Sequence, residues 1–454
     1  MVVERYYFFH HRPPAATLEI LAFDTANTMR RLVSLYNSLT DAEVSKLCNH
    51  TINSKGVVYL NSKQECFLLN LACAERLEEL DVAAATVSQL GRKCSDPGLN
   101  QFHLVYADLK AGMINTRKLQ FGSRSVLKSV EKMEKLVLAT AKLHDAMVCL
   151  ADMEASEKKV QHWKALGCKN FGYRHQVNIQ TLCDQIAFQR KQVRRYKELS
   201  LWNQTFDKAV RLMVRIVFII YARICSVFEP YISGLPTNDQ NFGDCYCLLE
   251  HRELYQTNCC LTNRVSKSGP ISKTNKSGPI RFVPDEDDEI AKSNRVLKMA
   301  SPSTVGGAGL SFRYASVIMF AERCLHSPGS IGESEREALY EMLPERLKEK
   351  VRKKMRGQWL KGEEWEEGGD GRSPAEGWRE AVEEIMEWLT PVARDTTRWQ
   401  AERSMEKQRY DGKPTTLLLQ TLHYSDLDKA EAAIVEVLVG LSCIFKYEKR
   451  RRQR

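Results

Sequence analysis

Apolar positions recur at helical spacing along most of the chain. Leu18, Leu21, Ala22, Thr25, Met29, Leu32, Val33 and Tyr36 fall three and four apart, which predicts one amphipathic helix of about five turns. Thr40 with Glu43, and Ser62 with Glu65, have the capping-box spacing that satisfies free backbone N–H groups, so two further helices are expected to begin there. The second runs through Phe67, Leu71, Ala74 and Leu77 to Gly91, and Arg92 and Lys93 follow at the carbonyl end, where the helix dipole favours cations. Between about 124 and 200 the period shortens to that of a heptad repeat. Val130, Met133, Val137, Thr140, His144, Met147 and Ala151 alternate by three and four, and so do Ile179, Leu182, Ile186, Gln189, Val193 and Tyr196. With the glycine-bearing "LGCKNFGY" between them, the two runs predict a long antiparallel helical hairpin. His144 lies on this seam and is expected to be a satisfied core or register-setting histidine, since no second ligand lies near it. The next run, "AVRLMVRIVFIIYARICSVF", carries Arg211, Arg215 and Arg223, and its uncharged stretches fall short of the roughly 20 residues a bilayer needs. It predicts a buried helix.

Residues 233–303 break the pattern. "SGLPTNDQNFGD", the doubled "KSGPI" at 267–271 and 276–280, and "PDEDDE" are too polar to offset the entropy of ordering, which predicts a disordered linker. Helical spacing resumes at Leu310, Tyr314, Val317, Ile318, Ala321 and Leu325 and continues through "SEREALYEMLPERLKEKVRKKM". A flexible loop is expected at 357–377, and then a helix through Trp378, Val382, Ile385, Leu389 and Val392 that Pro391 should kink. The last helix follows Ser425. The fold class is therefore all-α: two helical bundle domains, the first with a long antiparallel hairpin, joined by a disordered linker. The expected divisions are a flexible N-terminus (1–16), an N-terminal helical domain (17–232), the linker (233–303), a C-terminal helical domain (304–447) and a basic tail (448–454).

Composition changes this picture little. Of 454 residues, 43% are apolar and 27% charged, enough for two real cores. The net charge of +10 is spread along the chain, which argues against nucleic acid as a partner. Cysteines such as Cys73, Cys149, Cys183, Cys225 and Cys443 occupy apolar helical positions, where a thiol acts as a small hydrophobe. "MVVERYYFFHHRPP" has no apolar signal core, so the expectation is a protein that is neither secreted nor transmembrane, in a reducing compartment.

The candidate chemistry is sparse. Gly306, Gly307 and Gly309 invite a nucleotide reading, but "LKMASPST" precedes them where a strand is required, and Leu310 stands where a P-loop has its lysine. What remains is a helix start capped by Ser303 or Thr304, with the glycines in its first turns admitting a closely approaching backbone. Cys245, Cys247, His251, Cys259 and Cys260 match no common zinc spacing and read as free thiols, so no metal is expected. Glu380, Glu384 and Glu387 have exposed-face spacing and read as solvation. No catalytic or cofactor-binding residue is assigned, and no small-molecule substrate is identified. One stripe is sharper. Arg190, Arg194 and Lys197 share a helix face with Lys191 and Arg195 beside them, a charge array suited to acidic lipid, nucleic-acid phosphate or an acidic partner helix. It also reads as a solvated outer face, because no aromatic residues are interleaved for base stacking. Lys449, Arg450, Arg451 and Arg452 fit a nuclear-import signal or a solvated helix end. Ser266, Ser268, Ser272, Ser277 and Ser301, in or beside the linker and near cations, are candidate phosphorylation sites.

Taken together, several stretches carry a family resemblance. "LEILAFDTANTMRRLVSLYNSLTDAEVSKL", "FLLNLACAERLEELDVAAATVSQLGRKCSDP", "RRYKELSLWNQTFDKAVRLMVR", "TVGGAGLSFRYASVIMFAERCLHSP", "REALYEMLPERLKEKVR", "WLTPVARDTTRW" and "LLLQTLHYSDLDKAEAAIVEVLVGLSCI" occur in the order seen in the plant PSK SIMULATOR family, which the chain resembles outside the linker, the 357–377 loop and both tails. The resemblance implies a plant-specific growth regulator connected with phytosulfokine peptide signalling, built on two domains of unknown function, with no established catalytic residues. It implies a non-enzymatic regulator or scaffold whose partners are proteins of unknown identity. The alternatives are a phosphate-binding module acting through 190–197 on acidic lipid or nucleic acid, and an enzyme with a site assembled from both domains. Nuclear placement of family members agrees with the basic tail. Some relatives carry a Met-Gly myristoylation signal; this sequence begins Met1-Val2, so N-myristoylation is not expected, and cytoplasm or the cytoplasmic face of the plasma membrane is the alternative location.

Overall fold

The computed structural model describes residues 16–115, 119–165, 173–229, 295–326, 333–361, 374–403 and 416–453. Along them run α1 (Ala22–Ser38), α2 (Asp41–Lys46), α3 (Lys55–Leu60), α4 (Glu65–Gly91), α5 (Pro97–Asn100), α6 (Phe102–Lys110), α7 (Arg124–Ala165), α8 (Tyr173–Leu199) and α9 (Phe206–Phe228). There follow α10 (Arg295–Lys298), α11 (Ser311–His326), α12 (Glu333–Met342), α13 (Glu345–Lys361), α14 (Pro374–Arg403) and α15 (Leu427–Gln453). Among the described residues no strand forms, and the protein is all-α as its periodicity predicts; isolated bridges join Thr17 to Thr205 and Thr304 to Asp426. Of the described residues, 16–46 and those within 79–226 form one compact unit, and 47–78, 227–229, 295–326, 333–361, 374–403 and 416–453 form another.

In the first unit α7 and α8 form the expected hairpin, and α1 packs along α7. Val130, Met133, Val137 and Thr140 are buried on the predicted seam, but the next seam residue is not. His144 is 61% exposed beside Asp145, with its ring edge-on to Phe23, and Leu143 and Ala146 take the buried positions instead. An α-helix drifts about 20° per heptad from a strict 3.5 repeat, so a seam read from the first turns walks off the true one. The Thr140 hydroxyl ties the hairpin to the segment after α8, donating to the Leu136 carbonyl at 2.7 Å and accepting the Leu201 N–H at 3.2 Å. Helix α9 is the buried helix expected, with Met213, Ile216, Val217, Ile220 and Ile224 fully enclosed. Its arginines lie at the margins. Arg211 pairs with Asp96 at 2.8 Å, Arg215 donates to Ser125 and Ser129, and Arg223 donates to the Leu39 carbonyl and to Asp41.

The second unit is organised around the strap 416–427. Asn61, just after α3, donates to the Leu419 carbonyl at 2.6 Å and accepts the Ser425 hydroxyl, while the Asp426 N–H donates to the Leu60 carbonyl at 2.8 Å. Thr396 in α14 accepts the Leu422 N–H at 3.0 Å. Around the strap, α11, α13, α14 and α15 enclose one apolar core with Tyr314, Ile318, Leu347, Leu389, Ile434 and Val439 inside it. Residues 47–78 thus pack with the C-terminal helices, whereas the sequence places them in an N-terminal domain.

The structure bears on further expectations. The linker was expected to end at 303, but α10 is already ordered: Glu78 accepts the Arg295 and Val296 N–H groups, both at 2.8 Å, and Val296 is buried. Residues 230–294 lie outside the described residues. The glycines are not in a helix, because α11 starts only at Ser311. They form a turn in which the Val305 and Gly306 N–H groups donate to the Ser425 and His423 carbonyls, and Gly309 takes φ +70°. A Cβ on Gly306 would collide with His423 and one on Gly307 with the Ser301 carbonyl, so the close backbone approach inferred from the sequence is present. The loop expected at 357–377 is shorter, since α13 continues to Lys361 and α14 begins at Pro374; residues 362–373 lie outside the described residues. Helix α14 runs through Pro391 without interruption, and α15 runs to Gln453, so the basic tail continues a helix. Of the two capping boxes, Ser62 accepts the Gln64 N–H at 3.0 Å, whereas the Thr40 hydroxyl turns back to the Asn37 carbonyl.

His423 gives the strap a pH dependence. Its Nε2 lies 3.1 Å from the Leu297 carbonyl, and burial holds the imidazole below its usual range, with the nearby Arg403 charge acting the same way and the Leu297 bond opposing them. A histidine whose folded pKa is depressed is neutral in the fold, so the unfolded chain takes up its proton first and stability falls as pH drops below the unfolded value of about 6.5. Thermal midpoints at pH 7.5 and pH 5.5 should therefore differ more for the wild type than for His423→Gln. An equal pH difference in both proteins would contradict this assignment.

Candidate docking surface on the helical hairpin

The heptad pattern turns Ile186, Gln189, Val193 and Tyr196 of α8 toward α7; Ile186 and Val193 are buried, and the Gln189 amide donates to the Ala146 carbonyl of α7 at 3.1 Å. Helical geometry then forces Phe188, Lys191, Arg195 and Leu199, spaced three, four and four apart, onto the outer side. The five-cation stripe accordingly splits. Arg190 sits at the flank and binds Glu154 of α7 through Nε and Nη2, at 3.1 and 2.9 Å. Lys197 lies over the Trp202 ring, 4.1 Å from its centroid. Both brace the hairpin. Lys191, Arg194 and Arg195 are exposed and make no hydrogen bond or ion pair among the described residues.

Two large apolar side chains flank these cations. Phe188 is 61% exposed and Leu199 55% exposed, unusual values for such side chains on a helix that also has an apolar inner face. Phe188 stands just outside the basic run, and its only signal in the sequence is the i+3 and i+7 relation to Lys191 and Arg195. Asp184 and Glu198 are also exposed on α8, on either side of the exposed cations at 191–195. Covering Phe188 and Leu199 would contribute roughly 2–3 kcal/mol to a complex, and charge matching would set its orientation and encounter rate.

The other candidates are distributed elsewhere. Ser301 is exposed on the turn before α11, its hydroxyl 2.9 Å from that of Ser303. Ser266, Ser268, Ser272 and Ser277 lie outside the described residues, as do Cys245, Cys247, His251, Cys259 and Cys260. Lys449–Arg452 fall on the last turns of α15. Among the described residues, no group of three or more His, Cys, Asp or Glu side chains is placed to hold a metal ion, and no helix is long and apolar enough to cross a membrane.

The fold and its surface define a class: an all-helical protein in two units, with a cationic-apolar hairpin face. Residues 20–76 match the family described as a domain of unknown function, DUF3475, and residues 304–398 match that described as a protein of unknown function, DUF668. The chain is 24% identical over 435 residues to Protein PSK SIMULATOR 1 of Arabidopsis thaliana, covering 93% of this chain and 55% of that protein. It is 23% identical to Protein PSK SIMULATOR 2 over 448 residues (95% and 60%) and 22% identical to Protein PSK SIMULATOR 3 over 436 residues (93% and 56%), both from the same plant. These matches support a likeness to the PSK SIMULATOR family along nearly the whole chain. It spans a little over half the length of these curated relatives. No solved structure matches it.

Proposed function

We propose that the chain is a non-catalytic regulator of plant growth, linked to phytosulfokine signalling, that works by docking an acidic partner protein on the outer face of α8. The growth role rests on the names of its relatives and on the family resemblance. Docking is carried by one observation, the exposed array of Phe188, Lys191, Arg194, Arg195 and Leu199 on a helix whose inner face is already consumed by α7. An array of cations beside large apolar groups fits the acidic and apolar face of a partner helix. Phosphorylation at Ser266, Ser268, Ser272, Ser277 or Ser301 would add charge ahead of α11, and Lys449–Arg452 would serve nuclear import.

The test is the triple reversal Lys191→Glu, Arg194→Glu and Arg195→Glu. Glutamate is as good a helix former as lysine or arginine, so the melting midpoint should move by no more than about 2 °C. The reversed protein should fail to restore growth in plants lacking the wild type and should lose the partners that proximity labelling finds around the wild type. Full restoration of growth would sink the docking proposal. Binding of the wild type to phosphate-bearing vesicles or nucleic acid that falls steeply with salt and vanishes on reversal, with protein partners unchanged, would favour the phosphate-binding reading instead.

A further inference from the structure

The second unit contains a half-enclosed cleft of about 280 Å³ between α11, α12, α13, α14 and α15. Leu325, Leu343, Val351, Leu438 and Ile444 border it, and all five belong to the unit's apolar core, so the cleft reaches inward and is more than a surface furrow. Its polar groups lie chiefly toward the mouth. There Arg379 pairs with Glu448 at 3.1 Å, and Arg352 pairs with Glu345 at 3.2 Å while lying against the Tyr340 ring. Tyr340 and Phe445, each 40% exposed, also border the space.

Water gains little in such a place, because an apolar wall offers it too few hydrogen-bonding partners. An engineered apolar cavity of about 150 Å³ stays dry and takes up benzene, so a space nearly twice that size suits an apolar group of roughly ten to twelve carbon atoms. The charge at the mouth selects the head of the ligand. Two guanidinium groups and one carboxylate, Glu448, line the cleft, and Glu345, the partner of Arg352, lies outside the lining, so the positive excess is confined to the lining itself. We propose that this cleft is a binding site for an amphiphile with an apolar tail of about ten carbons and an anionic head, of which a medium-chain carboxylate is the simplest case. The tail replaces contacts that the walls now lack, and the head meets Arg352 and Arg379 in competition with Glu345 and Glu448, whose pairs are partly solvated and therefore readily exchanged. The site is separate from the α8 face, and neither proposal depends on the other.

Calorimetric titration of the full chain with decanoate, butyrate and decyltrimethylammonium tests the assignment. Decanoate should bind saturably at one site, at least about 100-fold more tightly than butyrate, because each buried methylene adds to affinity. Decyltrimethylammonium, with the same tail and the opposite head, should bind several-fold more weakly than decanoate. Leu441→Trp, which fills the cleft from a half-buried wall position, should abolish decanoate binding. Should that variant misfold, Arg379→Gln at the solvated mouth should weaken decanoate roughly threefold to tenfold while leaving uncharged decanol unchanged. Failure of the wild type to bind decanoate, equal binding of the two decyl amphiphiles, or decanoate binding unaltered in folded Leu441→Trp and in Arg379→Gln would each overturn the proposal. A cleft that ignores every amphiphile yet is occupied by apolar side chains of a partner protein would overturn it as well.

Discussion

Glu75→Ala should lower the stability of the second unit by about 3–5 kcal/mol, the cost of stripping a buried carboxylate from its donors. Glu75 is 1% exposed near the middle of α4. One carboxylate oxygen accepts the Trp399 indole N–H at 3.0 Å and Arg403 at 3.2 Å, and the other accepts the Leu418 N–H at 2.7 Å. One side chain thus closes the end of α14 and the start of the strap onto α4. Arg403 keeps a third of its exposure and can return to water, so most of the loss comes from the two neutral donors, which have nowhere else to turn. Glu75→Gln keeps the shape but offers one acceptor oxygen in place of two, and should recover about half of the loss. In urea, followed by the helical signal, the midpoint of the affected transition should fall by roughly 1–2 M for the alanine variant with its slope unchanged. A shift under about 0.3 M would show that the carboxylate does not pin this junction.

Glu431→Ala should cost about 2–4 kcal/mol, and the loss should be shared with Tyr314. Glu431 is fully buried on α15, accepting the Tyr314 hydroxyl at 2.8 Å on one oxygen, with Lys350 at 2.5 Å and Arg346 at 3.0 Å on the other. Burial and the bond to Glu431 both push the Tyr314 phenol upward, so it remains a proton donor throughout the neutral range. Against burial, which would lower it, Lys350 is raised by its bonds to Glu431 and Asp428 and stays charged. Tyr314→Phe alone should cost about 1 kcal/mol. Since each single change removes the same bond, the double variant should be less damaged than the sum of the singles by about 1 kcal/mol. Strict additivity in urea unfolding would mean that the phenol and the carboxylate are not energetically linked.

What was legible in the sequence follows from what periodicity encodes. The hairpin, α9 and α14 were readable because each carries a long apolar stripe, and a stripe reports that a helix exists and which face it hides. It does not report which element covers that face. Residues 47–78 look like a continuation of the helices before them, and contacts distant in sequence, those of Asn61 and Leu60 with the strap and those of Glu75 and Glu78 with α14, the strap and α10, place them in the second unit. Glu75 and Glu431 were invisible for a related reason: in "CAERLEEL" and "KAEAAIVE" a buried glutamate has the same neighbours as a solvated one. The order at 295–303 rests on main-chain N–H groups meeting Glu78 and on contacts of the glycine turn, interactions that composition does not express. On the hairpin the cations were readable as a group. Their division into braces and exposed charges was not, because Glu154 and Trp202 lie in other elements.

Hydrogen exchange of the wild-type chain, resolved to individual helices by mass spectrometry, tests most directly the claim that α3 and the first half of α4 are built into the second helical body. Under mild denaturant, 55–78 should lose protection together with 382–400 and 427–445, as parts of one cooperative unit do. Loss of protection of 55–78 in step with 126–150 and 182–199, while the C-terminal helices stay closed, would contradict it.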